Sequence, residues 1–459
     1  MNQKLFKEVL AKIKPTQKEM QEEQKIAHEL MEKIKKIEGP HIEVILAGSM
    51  ARNTHLIQDK DIDIFVLFPK HLGRQELEKE SMRIAKTALK GYPIEIAYSE
   101  HPYVRSMVKG FEVEIVPSYK IDNTSERLSA VDRTPFHNAY LQEKLSEKQK
   151  DEVRLLKQFL KTIKAYGADL KTESFPGYLT ELIILRYGDF ASTMKAISTW
   201  KKNTIIDLEE FWTAQQAIEK FKSHLIVVDP TDKTRNVASA LSFNQFNRLI
   251  VAARTFLKKP SKNFFFGKKF PILSTAKAKQ LMHTKNFVAV QMQFPKILPD
   301  LVYGQMKKLC KKTENNFVSN GFLPTRIDFF TDEKKFIILI VELESKSIAE
   351  IKKHFGPEAL DETNSQKFFA ANKSIHSGPR IEQGRWVIER PRRFFQATKL
   401  IEDFLKKEKL SAKAAIKKAL SQKYSIWEEK QLLSFFSKNK QFASWFSEYL
   451  KAREEFLDF

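Results

Sequence analysis

The sequence predicts an α+β protein of several domains, on three observations. The chain has 459 residues, too many for one hydrophobic core, and such a length suggests about two to four domains. Its first part mixes amphipathic helical segments with short alternating runs such as His41-Ile-Glu-Val-Ile-Leu46. Beyond Lys258-Lys-Pro-Ser-Lys262 the composition shifts, and a β-α-β-β order follows, suggesting an open sheet covered by a helix.

Taken in order, Gln3 to Lys14 is expected to form an amphipathic helix stopped by Pro15, and Thr16-Gln-Lys-Glu19 reads as a capping box for a second helix reaching Ile37. Gly39-Pro40 breaks it. A strand from His41 delivers the chain to Gly48, and a further strand ends at Phe68. Gln75 to Lys90 is helical, Ile94 to Tyr98 is a strand, and Lys109-Gly110 turns between two more strands. Thr134-Pro135 forms a polar bend. Glu152 to Ala165 has helical periodicity with Val153, Leu156, Phe159 and Leu160 inward, and Phe175 to Leu185 reads as a turn followed by a core helix. Arg235-Asn236 precede a helix beginning near Val237, and Phe264-Phe-Phe-Gly suggests a linker. Strands at 287–294, 325–330 and 336–343, with a helix at 300–320, build the next sheet. Residues 356–393 look loop-rich and basic, and the chain is helical from Leu400.

Composition narrows the function classes. Hydrophobic residues make up 42%, ordinary for a globular protein, while 79 Lys and Arg against 57 Asp and Glu leave a net charge of +22. Such an excess favours a polyanionic partner, nucleic acid or an acidic membrane surface. A single cysteine, Cys310, rules out an internal disulfide and suits a reducing compartment. The N-terminal residues hold no apolar run of signal-peptide length, and Phe336-Ile-Ile-Leu-Ile-Val341 is too short to span a bilayer, so a soluble cytoplasmic protein with no membrane partner is expected.

The chemistry concentrates between Leu46 and Phe68. An apolar run ends at Gly48-Ser49, a turn whose backbone N–H groups and hydroxyl can hold phosphate oxygens. In the strand that follows, Asp61 and Asp63 alternate with Ile62 and Ile64, so both carboxylates project from one face. Two charges ~4 Å apart repel by roughly 4 kcal/mol at an effective dielectric of 20. A divalent cation turns that repulsion into attraction, and oxygen ligands suggest magnesium. The combination reads as a metal-dependent nucleotidyl-transfer site. A third carboxylate is then needed, and Glu112 and Glu114 in Phe111-Glu-Val-Glu-Ile-Val-Pro117 both satisfy the chemistry. Downstream, Arg235-Asn236 supplies groups that hydrogen-bond base edges in two directions. A structural account, with Asn236 as an N-cap and Arg235 paired with an acid, stays open. Arg380, Arg385, Arg390, Arg392 and Arg393 with Trp386 suit RNA phosphate and sugar contact.

Gly48-Ser49, eleven residues, then Asp61-Ile-Asp63 resembles the nucleotidyltransferases of the DNA polymerase β superfamily. With His101-Pro-Tyr-Val104, Glu112-Val-Glu114, Asp132-Arg-Thr-Pro-Phe-His137, Leu155-Leu-Lys157, Tyr166-Gly167 and Arg235-Asn-Val-Ala238, the chain is similar over nearly its whole length to the archaeal-type CCA-adding enzymes. The resemblance implies a polymerase-β-like nucleotidyltransferase head (1–145), a helical central domain (146–258) and an α/β tRNA-binding body with a basic C-terminal tail region (259–459). It implies template-independent addition of CCA to the 3′ end of tRNA from CTP and ATP, with two Mg2+ ions on Asp61, Asp63 and Glu114. Glu114 departs from the family, which usually has aspartate there. The resemblance places Gly48, Ser49, Arg52, Thr134, His137, Lys157 and Tyr166 against the nucleotide, with His137 as a hydrogen-bond donor and Lys157 on the polar side of its helix. It implicates Arg235 and Asn236 in base choice, and the acceptor and T arms of tRNA as partner; a homodimer is left open. A relative adding only C, only A or poly(A), or a catalytically weakened RNA-binding homologue, is the alternative.

Overall fold

The computed structural model describes residues 3–38, 42–98, 100–169, 171–268, 271–373 and 375–459. The expected break at Gly39-Pro40 and strand start at His41 lie outside them. The chain divides into two compact units, residues 1–269 with 454–459, and residues 270–453.

The first unit opens with α1 (Gln3–Ile13) and α2 (Gln17–Glu38). Thr16 and Glu19 make the expected capping box: the Thr16 N–H donates to the Glu19 carboxylate at 2.8 Å and the Glu19 N–H to the Thr16 hydroxyl at 3.2 Å. Next come β1 (Glu43–Ala47), a short helix α3 (Gly48–Ala51), β2 (Asp61–Pro69), α4 (Arg74–Ala88), β3 (Ile94–Tyr98), β4 (Pro102–Val108) and β5 (Phe111–Lys120). The strands form one sheet in the order β1-β2-β5-β4-β3, with β2 and β5 parallel and the other pairs antiparallel. Period-two alternation gives the sheet two faces. Ile62, Ile64, Val66, Val104, Val113 and Ile115 pack against Ile26, Leu30 and Ile34 of α2 and Leu77 and Ile84 of α4. That leaves the acidic positions of β2 and β5 on the other face.

The sheet is followed by α5 (Thr134–Lys144), α6 (Glu147–Thr162), α7 (Gly177–Tyr187), α8 (Phe190–Ser198), β6 (Thr204–Ile206), α9 (Ala214–Phe221), β7 (Leu225–Asp229), β8 (Asp232–Asn236), α10 (Phe243–Lys258) and α11 (Asn263–Phe266). Two local expectations are corrected here. Thr134-Pro135 is the first turn of α5 and not a free bend, because proline is tolerated where the N–H has no helical partner. Arg235 and Asn236 lie in β8, an antiparallel partner of β7, and the next helix starts only at Phe243. The expected linker at Phe264 also packs: Phe264 and Phe265 are fully buried, with Phe264 stacked on Phe159 at 5.5 Å between ring centroids.

The second unit contains α12 (Thr275–Met282), β9 (Asn286–Gln293), α13 (Pro299–Ser319), β10 (Pro324–Thr331), β11 (Phe336–Leu343), β12 (Ile351–Glu358), α14 (Glu362–Ala371), β13 (Ser377–Glu382), β14 (Arg385–Pro391), α15 (Ala397–Ser411), α16 (Ala414–Ser421), β15 (Ser425–Trp427), α17 (Glu429–Lys438) and α18 (Lys440–Lys451). Its main sheet is antiparallel in the order β10-β11-β9-β15 and is covered on both faces. Ile337, Leu339 and Val341 of β11 meet α13, α15 and α16, while Ile338 and Ile340 meet α12, α17 and α18. An unbroken apolar run from Phe336 to Val341 is what two covered faces demand. The region expected to be loop-rich is instead a three-stranded sheet, β12-β14-β13, with α14 beside it. Among the described residues no helix is long and apolar enough to cross a membrane.

Candidate active site

The parallel register of β2 and β5 assembles the site. Asp61 lies opposite Glu112 and Asp63 opposite Glu114, so four carboxylates occupy one block of the sheet's open face. The cost of gathering them shows in their protonation. Burial first, and then the charges of Glu114 and Asp61, push the Asp63 carboxyl up to about 7. Loss of solvent, with Asp59 and Glu112 nearby, raises Asp61 as well.

Gly48 belongs to the same block. Its φ is +72°, and a Cβ there would stand 1.8 Å from Oδ2 of Asp63. Only glycine lets the turn adopt that conformation while the carboxylate comes so close. Ser49 follows in α3, its carbonyl accepting from the Thr54 N–H at 2.9 Å.

Arg52 and Lys157 come together on a residue that was read from the sequence only as part of a core helix. Glu181 of α7 is fully buried and accepts from Arg52 at 2.9 Å (Nη2) and 3.2 Å (Nε), while Lys157 Nζ lies 3.7 Å away. Arg52 Nη1 also donates to Asn138 at 3.2 Å. Lys157 is itself fully buried, not on the polar side of α6, and donates to the Thr54 carbonyl at 3.1 Å. Burial lowers the Lys157 pKa to about 8, with Glu181 opposing the shift. Tyr166 sits beside them: a Cβ on Gly177, at the start of α7, would lie 3.0 Å from its hydroxyl and 3.8 Å from Lys157 Nζ.

A second buried carboxylate, Asp229 at the end of β7, collects the base-side residues. It accepts from His137 Nε2 at 2.8 Å, Arg235 Nη1 at 2.8 Å, the Tyr178 hydroxyl at 3.2 Å and the Thr231 N–H at 3.0 Å. The His137 ring stacks on Tyr178 with centroids 4.0 Å apart. Burial lowers the His137 pKa, so the ring is neutral at pH 7. Against its own burial, hydrogen bonds from His137 and Arg235 hold Asp229 well below the usual carboxylate range. The expected donor nitrogen of His137 therefore donates to Asp229, and Nδ1 is left as an acceptor.

Asn236 lines the same cleft as Arg235, with its side-chain amide already engaged by the backbone. Its Oδ1 accepts from the Val227 and Ala238 N–H groups, each at 2.9 Å, and its Nδ2 donates to the Leu225 carbonyl at 3.0 Å, so its amide secures β7 and β8. That cleft has a volume of about 590 Å³ and is lined, beside Arg235 and Asn236, by Arg127, Arg133, Lys220, Lys222 and Asp232. Thr134 stands at the start of α5, one turn before His137.

In the second unit, Arg380 pairs with Glu382 and Glu389, Arg385 donates to the Gly356 carbonyl, Arg390 to Asn372, Arg392 to the Asn320 carbonyl and Arg393 to Asp403. Trp386 donates to Ser365 and meets Phe369 edge-on. Arg385 and Arg393 remain exposed. Trp386 is spent on packing against α14.

The donors on the head sheet are all oxygen, and the unfavourable ionisation of Asp63 is what a cation would reverse, so the residues fit a hard divalent ion. Among the described residues, however, no three such side chains already converge around an ion position. Glu114 is engaged through one oxygen only, Oε1, which accepts from Arg105 Nη2 and Nε at 2.6 and 2.9 Å.

Glycine at the turn, acids on the adjacent strand and buried cations behind them are the working parts of a nucleotidyltransferase. The family model for the nucleotidyltransferase domain matches residues 27–137, that for the second domain of tRNA nucleotidyltransferase residues 151–266, and that for the C-terminal domain of CCA-adding enzyme residues 283–429. The CCA-adding enzyme of Methanocaldococcus jannaschii is 38% identical over 80% of this chain and 83% of its own. That of Archaeoglobus fulgidus is 35% identical over 85% and 87%. That of Saccharolobus shibatae is 34% identical over 94% and 98%. The chain belongs to the family of CCA-adding enzymes.

Proposed function

We propose that the protein adds C, C and A to the 3′ end of tRNA from CTP and ATP, without a nucleic-acid template, in the cytoplasm. Membership of the family supports the reaction, and one observation carries its chemistry: the register that sets Asp63 opposite Glu114 beneath Gly48. The RNA 3′-hydroxyl attacks the α-phosphate in line and pyrophosphate leaves. Asp61 and Asp63 would hold the magnesium ions, with Glu114 as the third carboxylate supporting the ion that activates the hydroxyl. Two such ions, when bound, lower the hydroxyl pKa and neutralise charge on the α-phosphate. Ser49 and Gly48 bind the phosphates by hydroxyl and backbone N–H. Arg52, Lys157 and Tyr166 receive the pyrophosphate side. Arg235 reads the base edge, with His137 held beside it by Asp229, and the basic cleft next to Arg235 receives the RNA's terminal phosphates. Residues 1–145 serve as the catalytic domain, 146–258 complete the nucleotide pocket, and 259–459 hold the stacked acceptor and T arms by A-form shape and phosphates. The exposed Arg385 and Arg393 are the best placed of the tail arginines for that.

The test is incubation with tRNA lacking its CCA end and labelled CTP or ATP. Two C additions followed by A only after C are expected. Incorporation of one nucleotide type alone, or of a run of A, would move the protein to a restricted or poly(A)-type relative. Asp63→Ala should abolish all incorporation while tRNA binding persists; normal turnover in that variant would remove the mechanism.

A further inference from the structure

The residue that the reaction leaves unexplained is Arg105. One row of facing residues crosses the head sheet: Ala47, Asp63, Glu114, Arg105 and Glu95, contributed in turn by β1, β2, β5, β4 and β3. Facing residues share a side of the sheet, so Arg105 stands against Glu114 on the flank away from Asp63. Its guanidinium donates twice to Glu114, and both bonds fall on Oε1. Tyr103 adds a third donor to that oxygen at 3.4 Å and is itself held by Arg105 Nη2 at 3.2 Å. Arg105 also lies 3.2 Å from Oε1 of Glu112, so the two glutamates of β5 are tied to one cation.

This asymmetry has a consequence for catalysis. A glutamate has one rotatable bond more than an aspartate, and unrestrained it spreads its carboxylate over many positions. Three donors on Oε1 remove that freedom and leave Oε2 without a donor among the described residues. We propose that Arg105 is a positioning residue for the third carboxylate: it anchors Glu114 by one oxygen so that the other is presented toward Asp63 and the cation. The proposal rests on the functional reading above, in which Glu114 supports the ion nearest the attacking hydroxyl. Misplacement of such a group by about 1 Å can cost roughly a hundredfold in rate.

The test compares Arg105→Ala, Arg105→Lys, Glu114→Asp and the Arg105→Ala, Glu114→Asp double variant as full-length proteins. Two measurements are made: single-turnover CMP addition to tRNA at saturating Mg2+ over a range of CTP concentrations, and thermal melting in EDTA. Arg105→Ala should slow addition by roughly ten- to a hundredfold with the KM for CTP unchanged, and lysine should recover part of the loss. The decisive sign is that of Glu114→Asp. It should slow the enzyme while Arg105 is present, because the shorter arm loses the anchor, and speed it in the Arg105→Ala background, where the stiffer side chain is the better one. In EDTA the two single changes should each lower the melting temperature, and the double variant should fall no further than the worse of them. If Glu114→Asp acts in the same direction in both backgrounds, the proposal is overturned, whatever the melting shows. Additive melting losses would overturn it too, since the pair would then not be coupled. An active Asp63→Ala protein would instead overturn the reading of the whole site, which keeps the two failures distinct.

Discussion

At the scale of single residues, the site is held by buried carboxylates that do not touch the reacting atoms. Asp229 is the clearest. It has no exposed surface, yet it accepts five hydrogen bonds and fixes the proton on His137 Nε2. Asp229→Asn keeps the volume and removes the charge, so His137 and Arg235 lose their common anchor. We expect kcat/KM for CTP to fall by roughly ten- to a hundredfold, about 1.4–2.7 kcal/mol at 1.36 kcal/mol per decade, with Asp63-dependent chemistry otherwise intact. The same change should mark stability. The folded pKa of Asp229 is depressed below the unfolded value of about 4. Its stabilisation is therefore fully present above that value and is lost as pH falls through it toward the folded pKa. Denaturation curves should show the wild-type protein more stable than Asp229→Asn at pH 7, with the gap closing below about pH 4. A gap that is as wide at pH 2.5 as at pH 7 would show that the ionised carboxylate is not what stabilises the fold.

At the scale of elements, α7 does two things at once. Leu179, Leu182, Ile183 and Ile184 are fully buried, while Glu181 on the same helix reaches Arg52, Thr54 and Lys157. The helix thus ties the short α3 region to α6 through one charge. Glu181→Gln leaves two buried cations with no anion, and breaking a buried ion pair costs about 3–5 kcal/mol. A triphosphate supplies the missing charge. Melting should therefore show a large loss without nucleotide, and a larger upward shift with CTP than in the wild-type protein; equal shifts would place the triphosphate away from Arg52 and Lys157. Glu181 also shows what the sequence could and could not say. Acids on alternate positions of β2 were legible because a strand has a period of two, and so was the turn at Gly48. A lone glutamate inside the apolar run Leu179 to Leu185 was a visible anomaly, but its partners are 129 and 24 residues away in sequence, and no local pattern reports such distances. Lys157 was assigned to a solvated face for the same reason: periodicity marks the inward stripe of a helix, and burial from a third side comes only with tertiary packing. Arg235-Asn236 reads as the approach to a helix because a five-residue strand, irregular in its pairing and followed by a turn, leaves almost no periodic signal. The basic region at 356–393 hid its sheet behind cross-strand ion pairs such as Arg380–Glu389 and Lys353–Glu382, whose charges imitate a solvated loop.

At the scale of the whole molecule, the +22 charge has to be weighed against how much of it is already committed. Many of the basic side chains of the second unit are paired within the fold, as Arg380, Arg393, Lys285 and Lys346 are. Paired surface charges still attract a polyanion, because each exposed ion pair is worth only ~0–1 kcal/mol and can be exchanged for a phosphate. The affinity for tRNA should therefore be dominated by counterion release and not by base contacts. If roughly six to ten phosphates are neutralised, affinity falls by about 10³–10⁵ between 50 and 200 mM salt. Arg393→Ala, which removes one exposed cation, should lower the slope of log affinity against log salt by about one and weaken binding to all tRNAs alike. Single-turnover addition from preformed enzyme–tRNA complex should change far less with salt, because Arg52 and Lys157 are buried and poorly screened. Binding that is indifferent to salt would mean that the basic surface does not hold the RNA. A chemical step as salt-sensitive as binding would mean that the buried cations are not the ones that meet the triphosphate.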